Sequence, residues 1–253
     1  MSFEIVTVPC LSDNYAFLVH GNGRTAVVDV PEAAPIKAAL LARGWSLDEI
    51  WITHHHNDHI GGVEDLRREF SPLVRGASAD ARRLPTLDSA LADGENFDFA
   101  GSSVSVIDVS GHTIGHIAFY LADAKAAFTA DSLMALGCGR VFEGTMEQMW
   151  DSLSKLAALP ADTTICSGHE YTEANGRFAL TIEPNNPALQ ARIRMVTEAR
   201  NRAEPTVPSQ LSTELETNPF LRAHLAEVKS ILNMTDRSDS DVFGEIRRRK
   251  DSF

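Results

Sequence analysis

The chain has 253 residues, with 23 Lys or Arg against 35 Asp or Glu, which gives a net charge of −12 at pH 7. That length suits one large domain, or a large domain with a smaller appendage. The acidic balance argues against a general nucleic-acid surface, so an anionic ligand would need a locally basic patch. No segment approaches the roughly 20 apolar residues that span a bilayer, and we expect no signal peptide and no membrane partner.

The three cysteines are an odd set with wide spacing, unlike a disulfide framework. A reducing cytoplasm is the expected location, and a monomer is the expected state. Cys138 and Cys166 each lie within ten residues of a strand-end Asp or His. We interpret each as a small buried hydrophobe and not as a nucleophile.

Short β-rich runs recur through the first two thirds of the chain. In order, they are residues 4–8, 16–20, 26–30, 49–53, 104–109, 117–121, 126–129 and 163–166. Helical periodicity between them predicts helices at 35–43, 63–70 and 145–159. The last of these begins with a capping-box pattern, Thr145 and Gln148. Strands interspersed with helices predict a layered α/β body.

After residue 170 the β signal disappears. Helices are predicted at 172–182, 187–202, 218–233 and 240–249. This second part is too small and too charged to stand alone. We therefore predict a first domain over 1–170 and a dependent helical domain over 171–253.

The segment THHHNDHIGG at 53–62 is the densest group of polar ligands in the chain. In an extended segment alternate side chains share a face, so His54, His56 and Asp58 would point one way and His55 the other. A helix beginning near Asp58 would turn His59 back towards the same space. Imidazole and carboxylate together suit zinc, iron or manganese. A polar turn with incidental histidines is the alternative, and it does not explain why four of them cluster.

Three further polar motifs follow predicted strands. His112 lies between glycines in SGHTIGH, Asp131 follows the run 126–129, and His169 follows the run 163–166. Each alone is more often a turn residue than a ligand. Because loops at strand ends are where layered folds assemble sites, we predict that the three converge on the first cluster.

The order H-x-H-x-D-H, Gly-His-Thr, strand-end Asp and Gly-His resembles the metallo-β-lactamase superfamily, and within it the hydroxyacylglutathione hydrolases, or glyoxalase II. The narrower resemblance is carried by THHHNDHIGG, SGHTIGH, FTADSLMALGCGRVFEGT, SGHEYTEANGRFA and RRRKDSF. It covers essentially the whole chain. It implies a four-layer αβ/βα sandwich over 1–170 that carries catalysis, and a C-terminal all-helical domain over 171–253 that binds substrate.

The resemblance also implies a site with two divalent metal ions, with zinc expected and iron or manganese as alternatives. Its ligands would be His54, His56 and His112 for one metal, Asp58, His59 and His169 for the other, and Asp131 as the bridge. Asp58 and Asp131 would also position a bridging hydroxide, which two cations make available at neutral pH. Asp29 matches a supporting carboxylate, with a simple turn role as the alternative. His55 and His116 match positions that are not ligands, and we favour a packing or orienting role for both.

The implied activity is hydrolysis of S-D-lactoylglutathione and related 2-hydroxyacylglutathiones to D-lactate and glutathione, the second step of methylglyoxal detoxification. The implied substrate contacts are Arg140, Phe142, Tyr171, Arg247 and Lys250. Phe142 stands where some relatives carry tyrosine, which removes one hydrogen bond to glutathione. Without the resemblance, the basic run 247–250 reads as a solvated helix end.

Other classes explain the sequence less well. A persulfide dioxygenase shares the first motif but uses a single iron and normally lacks the helical tail. A metallo-β-lactamase is usually exported, and the N-terminal sequence does not have the pattern of an export signal. A nuclease of the superfamily would need a more basic surface and a large nucleic-acid-binding insert. A non-catalytic metal- or glutathione-binding module would be favoured if a ligand were missing, and all seven are present.

Overall fold

The computed structural model describes residues 2–253. The chain divides into two compact units. Unit 1 comprises the residues up to Asp108 together with Ile114–Ala130, and unit 2 comprises Val109–Thr113 together with Asp131–Phe253. A domain boundary near residue 170 stays a prediction. No helix within residues 2–253 is long and apolar enough to cross a membrane.

The first sheet of unit 1 has six strands, in the order β1-β2-β3-β4-β5-β6. They are β1 (Glu4–Cys10), β2 (Asn14–Gly21), β3 (Arg24–Val28), β4 (Glu49–Trp51), β5 (Leu73–Ala77) and β6 (Ser89–Leu91). The first three pair antiparallel, and β3 to β6 pair parallel. Parallel neighbours end at the same edge of a sheet, which is why loops after β3 and β4 can meet.

A second group of strands in unit 1 forms an antiparallel meander. Its members are β7 (Asn96–Phe99), β8 (Ser102–Asp108), β9 (Ile117–Leu121) and β10 (Ala126–Ala130). Trp51 of β4 joins this group to the first sheet, because its ring centroid lies 5.0 Å from that of Phe99 and 5.5 Å from that of Phe119. Aromatic packing of this kind contributes about 0.5–1.5 kcal/mol per pair beyond the area it buries.

Three helices belong to unit 1: α1 (Ala33–Arg43), α2 (Asn57–Ile60) and α3 (Val63–Phe70). The predicted helices at 35–43 and 63–70 are confirmed, with α1 starting two residues earlier. Gly62 sits where the two approach: a Cβ there would lie 2.6 Å from the backbone nitrogen of Ala33. A side chain at this position would push the helices apart.

Unit 2 is mostly helical. Its strands are β11 (Leu133–Met134), β12 (Gly137–Cys138), β13 (Thr164–Ser167) and β14 (Ser209–Gln210). Its helices are α4 (Met146–Ala157), α5 (Thr172–Ile182), α6 (Pro187–Asn201), α7 (Leu211–Thr217), α8 (Ala226–Ile231) and α9 (Asp239–Asp251). The predicted capping box of α4 is confirmed, since Thr145 and Gln148 exchange both hydrogen bonds. Phe178, Phe220 and Phe243 are buried within unit 2, where the ring of Phe220 contacts both of the others.

The helix predicted over 218–233 is wrong, because only Ala226–Ile231 within it is helical. Asn218 accounts for the difference. Its amide donates to the carbonyls of Met134 and Gly137 at 3.1 and 3.0 Å, and its Oδ1 accepts from the backbone N–H of Phe220 at 3.1 Å. A side chain that bonds its own backbone two residues on competes with a helix, and Pro219 restricts the residue before it.

Candidate metal centre

Asp29 follows the last residue of β3 and ties the end of that strand to the end of β4. Its φ of 56° is left-handed, a conformation that Asp tolerates better than most residues. Its backbone N–H donates to the carbonyl of Trp51 at 2.9 Å. Its Oδ1 accepts from the backbone N–H of Thr53 at 2.9 Å, and its Oδ2 accepts from the Thr53 hydroxyl at 2.8 Å. A buried carboxylate thus fixes the start of the histidine-rich segment.

The same carboxylate sets the tautomers of two histidines. Nδ1 of His59 lies 2.8 Å from Asp29 Oδ2, and because a carboxylate only accepts, this nitrogen carries the hydrogen. Nδ1 of His54 lies 3.0 Å from the Thr53 hydroxyl, whose own hydrogen goes to Asp29, so it also carries a hydrogen. Each Nε2 is then left with its lone pair, as a metal ligand requires.

His54, His56, Asp58 and His59 lie together in unit 1. The ring of His54 is 4.2 Å from that of His59 and 4.8 Å from that of His56, measured between centroids. Ligand atoms of Asp29, His54 and His59 lie within 4.8 Å of one another. The helix predicted to begin near Asp58 is confirmed as α2, which starts at Asn57. Asp58 is therefore in the first turn of that helix and does not belong to the extended segment that alternation predicts. It still approaches His59, with Oδ2 3.8 Å from Nε2.

His112, Asp131 and His169 lie together in unit 2. One oxygen of Asp131, Oδ2, is 3.4 Å from Nε2 of His112, and the other, Oδ1, is 3.3 Å from Nε2 of His169. Nδ1 of His112 donates to the carbonyl of Arg140 at 2.7 Å, which again leaves Nε2 with the lone pair. A carboxylate whose two oxygens face two different imidazoles has the arrangement needed to bridge two cations.

Gly139 and Gly111 allow this arrangement. A Cβ on Gly139 would lie 2.0 Å from the carbonyl oxygen of Asp131 and 2.9 Å from Nδ1 of His112. Gly111 has a φ of 150°, and a Cβ there would lie 2.6 Å from the sulfur of Met149. A side chain at Gly139 would displace Asp131 or His112, and one at Gly111 would displace Met149 beside the loop that carries His112.

Arg140 and Arg247 meet on one carboxylate in unit 2. Arg247 is only 4% exposed and donates to Asp251 at 2.9 Å and to the carbonyl of Cys138 at 2.9 Å. Arg140 is 59% exposed, and its Nε lies 3.4 Å from the same oxygen of Asp251. The two arginines therefore differ: Arg247 is a buried residue that holds the Cys138 backbone, and Arg140 is an exposed cation.

The remaining predicted substrate residues lie in the same unit. The ring of Tyr171 stacks on His169 with centroids 4.7 Å apart and an angle of 6° between the planes. The ring of Phe142 contacts His112, with centroids 5.3 Å apart. Nζ of Lys250 lies 3.4 Å from the carbonyl of Ala174, and its pKa is lowered chiefly by burial and then by Arg247.

The cysteines are poor candidates for a nucleophile. Burial raises the pKa of the Cys138 thiol to about 11, with Arg247 opposing the shift. Burial also raises the pKa of Cys166. Both side chains are protonated near pH 7, and neither can supply the thiolate that nucleophilic attack requires.

Comparison with known proteins identifies the family. Residues 11–169 match the profile described as the metallo-beta-lactamase superfamily, and residues 170–253 match that of the hydroxyacylglutathione hydrolase C-terminus. The chain is 64% identical to a hydroxyacylglutathione hydrolase of Roseobacter denitrificans and 60% identical to one of Ruegeria pomeroyi, in both cases over the full length of both chains. This chain belongs to the hydroxyacylglutathione hydrolase family, within the metallo-β-lactamase superfamily.

Solved structures show the fold of the hydroxyacylglutathione hydrolase chain to be that of the superfamily, with a C-terminal helical region. The B3 metallo-β-lactamase BLEG-1 is 20% identical with a TM-score of 0.65, covering 86% of this chain and 99% of its own. ETHE1 from Myxococcus xanthus is 20% identical with a TM-score of 0.63, covering all of both chains. The di-iron-bound form of TTHA1623 is 22% identical with a TM-score of 0.62, covering 86% of this chain and 100% of its own.

Residues outside every sequence motif also support the site in unit 1. Asp80 is 3% exposed, and its Oδ2 lies 3.0 Å from Nδ1 of His55. Arg83 donates to the other oxygen of Asp80 at 2.5 Å and to the carbonyl of Ile114 at 2.8 Å. His55 thus has an orienting partner of its own. Nothing in the sequence around Asp80 signals this role, because the residue is remote from every motif.

Proposed function

We propose that this chain hydrolyses S-D-lactoylglutathione and related 2-hydroxyacylglutathiones to D-lactate and glutathione, the second step of methylglyoxal detoxification. One observation carries the proposal: Asp131 faces His112 with one oxygen and His169 with the other. In a chain of the hydroxyacylglutathione hydrolase family, that geometry is what a bridging ligand of a binuclear centre needs.

We propose two divalent ions as cofactors, with zinc expected. The proposed ligands are His54, His56 and His112 for one ion, Asp58, His59 and His169 for the other, and Asp131 for both. The residues fit such ions: the donors are imidazoles and carboxylates, and the Nδ1 atoms of His54, His59 and His112 are each held by an oxygen of the protein. Iron is the main alternative, since TTHA1623 has been obtained in a di-iron-bound form. When bound, the ions supply a nucleophile from water at neutral pH and polarise the acyl carbonyl.

In the proposed reaction, the protein's side chains orient the attacking water and hold the metal ligands in place. Asp58 and Asp131 are the carboxylates proposed to align the attacking water with the acyl carbon. Asp29 keeps His54 and His59 in the tautomer that leaves Nε2 available. No protein acid is needed for the leaving group, because a thiol with a pKa near 8.5 departs readily as thiolate.

Arg140, Phe142, Tyr171, Arg247 and Lys250 are proposed to bind the glutathione part of the substrate. Glutathione carries two carboxylates, and a chain with a net charge of −12 needs local cations to attract them. Arg140 is the best placed of the three cations because it is exposed and loosely paired. Residues 1–170 would carry the catalytic residues, and 171–253 most of the substrate contacts.

Location and assembly are proposals as well. We propose the cytoplasm, because Cys10, Cys138 and Cys166 are all free thiols and such thiols persist in a reducing compartment. We propose a monomer without a nucleic-acid partner. Size-exclusion chromatography with light scattering measures the molar mass and so tests whether the protein is a monomer.

The deciding experiment measures two reactions of the purified, metal-loaded protein. One assay follows thioester loss from S-D-lactoylglutathione, and the other follows oxygen uptake with glutathione persulfide. We expect thioester cleavage without oxygen uptake, and loss of the cleavage in Asp131→Ala. Oxygen uptake without thioester cleavage would overturn the proposal in favour of a persulfide dioxygenase.

A further inference from the structure

Asn14, the first residue of β2, contacts Asp58 twice. Its amide nitrogen lies 3.1 Å from the backbone carbonyl of Asp58 and 3.1 Å from the carboxylate oxygen Oδ2. Asn14 is 4% exposed. The two residues are 44 positions apart in the sequence, so this is a tertiary contact within unit 1 and not a local turn.

The helix that carries Asp58 depends on such contacts. α2 has four residues, and a single turn is unstable alone because helix nucleation is unfavourable. Its last carbonyl groups find partners outside the helix: that of Asp58 accepts from Asn14, and that of His59 accepts from the backbone N–H of Val30 at 2.8 Å. Contacts from Asn14 and Val30 therefore help to fix the position of α2, and the contact from Asn14 is made to the Asp58 backbone itself.

The hairpin does not need the Asn14 side chain. β1 and β2 pair through backbone groups, and Cys10 is the partner of Asn14 in that register. Asn is also a poor strand former. A buried amide at the start of a strand, donating both of its hydrogens to one residue, is better explained by what it does to that residue.

We propose that Asn14 is a positioning residue for Asp58 as a metal ligand. This inference rests on the proposed function, in which Asp58 binds one of two metal ions. One N–H of the amide fixes the backbone of Asp58. The other engages Oδ2, the oxygen that lies 3.8 Å from Nε2 of His59, and so fixes the orientation of the carboxylate beside the proposed ligand. A neutral donor achieves this without adding charge, whereas an acid at position 14 would repel Asp58. Asn14 thereby sets the affinity for the metal that Asp58 holds.

The test is a titration of metal-free protein with Co²⁺, which reports the number of sites and the affinity of each by its absorption. The variants are Asn14→Ala, which removes the donors, and Asn14→Asp, which keeps the shape but replaces the donor by an acceptor. Loss of a partner that orients a ligand typically costs 10- to 100-fold in metal affinity. We expect a loss of this size at one site only, larger in Asn14→Asp. The control is Asn96→Ala, an exposed amide of the same unit that bonds Gly94 and Ser105, and it should bind both ions as the parent does.

The outcomes separate this inference from the proposed function. Parent affinity at both sites in the two Asn14 variants would overturn the role of Asn14 and leave the proposed function intact. A parent that binds one ion and cleaves no thioester would overturn the proposed function first. Circular dichroism of the metal-free proteins shows whether the variants are folded. If both Asn14 variants are unfolded without metal, Asn14 is needed for folding itself and the inference fails.

Discussion

Asp29 and His59 are joined by a hydrogen bond of 2.8 Å between Oδ2 and Nδ1, and the same oxygen accepts from the Thr53 hydroxyl that in turn holds His54. One buried carboxylate therefore fixes the proton positions on two proposed ligands. It does so by a direct bond to one and through a hydroxyl to the other. Both Nε2 atoms are therefore unprotonated and both rings are fixed before a metal binds, which lowers the free-energy cost of ordering the ligands.

Changing Asp29 to Asn should weaken metal binding about 10- to 100-fold. Asn tolerates the left-handed backbone at this position, so the fold is preserved better than with Ala. The amide cannot accept every hydrogen that the carboxylate accepts, and His54 and His59 lose their fixed tautomers. Competition with a chelator of known affinity measures the effect. Asp98→Asn, at an exposed carboxylate that bonds Gly101, is the control, and equal affinities in the two variants would contradict the role given to Asp29.

Changing Asp131 to Ala should lower the metal content from about two ions per chain to one or none, and abolish thioester hydrolysis. The two oxygens of Asp131 face two different imidazoles, as a bridging ligand requires. Elemental analysis of the dialysed proteins gives the metal content. A parent that holds one ion, with activity indifferent to Asp131, would favour a mononuclear centre.

The metal cluster was the easiest part of the molecule to predict. His54, His56, Asp58 and His59 are near one another in sequence, so they are near one another in space whatever the local conformation. That explains why the group forms although Asp58 lies in α2 and not in the extended segment that alternation predicts. His112, Asp131 and His169 each follow a strand in the sequence, and they lie together in unit 2.

The sequence was least informative where a tertiary partner decides the outcome. Asn14 is remote from Asp58, and Asp80 is remote from His55, so no local pattern could pair them. The helix predicted over 218–233 failed for the same reason: its apolar periodicity is real, but the amide of Asn218 bonds a distant hairpin instead. Propensity yields to tertiary contacts in such cases.

Arg140 and Arg247 should respond differently to substitution. Arg140→Ala should raise KM for glutathione thioesters several-fold and leave stability unchanged, because its side chain is exposed and a solvent-exposed contact contributes little to stability, about 0–1 kcal/mol. Arg247→Ala should raise KM and also destabilise the fold, because it leaves the Cys138 carbonyl without this donor and Asp251 with the longer contact to Arg140. Steady-state kinetics and thermal unfolding separate the two effects.

Lys250→Ala should also raise KM for the glutathione thioester, with metal content unchanged because no ligand is altered. Added salt should weaken binding in the parent more than in Lys250→Ala or Arg140→Ala, since screening acts on the attraction that the variants have lost. Arg68→Ala, at an exposed arginine of α3, controls for net charge. Equal effects on a small thioester without the tripeptide would mean that these cations stabilise the fold and do not recognise glutathione.

The buried thiols should be unreactive in the folded protein and should reduce its stability at high pH. Burial raises the pKa of Cys10 and of Cys138 from 9.0 to about 11. Between pH 9 and pH 11 the thiols of the unfolded chain have lost protons that those of the folded chain keep. The free energy of unfolding is therefore unaffected by the thiols below about pH 9 and falls as the pH rises towards 11. Urea unfolding at pH 8 and pH 10 should show this decline, and it should be smaller in Cys138→Ala. Rapid labelling of native protein by a thiol reagent at pH 8 would contradict it.

Glu214 is a residue of unit 2 whose loss should cost much stability. It is fully buried. Its Oε2 accepts from the backbone N–H of Leu136 at 2.9 Å and from the Asn218 amide at 3.1 Å. Its Oε1 accepts from Arg192 and, at 2.6 Å, from the Ser209 hydroxyl. The carboxylate thus holds the β11–β12 hairpin, which leads directly to Arg140.

Glu214→Ala should lower the free energy of unfolding by about 3–5 kcal/mol, because it leaves the guanidinium of Arg192 buried without its anion. Glu216→Ala, an exposed glutamate of the same helix, should change it by less than about 0.5 kcal/mol. The double variant Glu214→Ala, Arg192→Met removes both charges and should recover part of the loss, since a buried pair replaced by apolar groups is often tolerated. Urea unfolding of the four proteins completes the comparison. If the double variant is less stable than Glu214→Ala, the cost lies in the hydrogen bonds that hold the hairpin and not in the unpaired charge, and KM for the glutathione thioester should then rise with it.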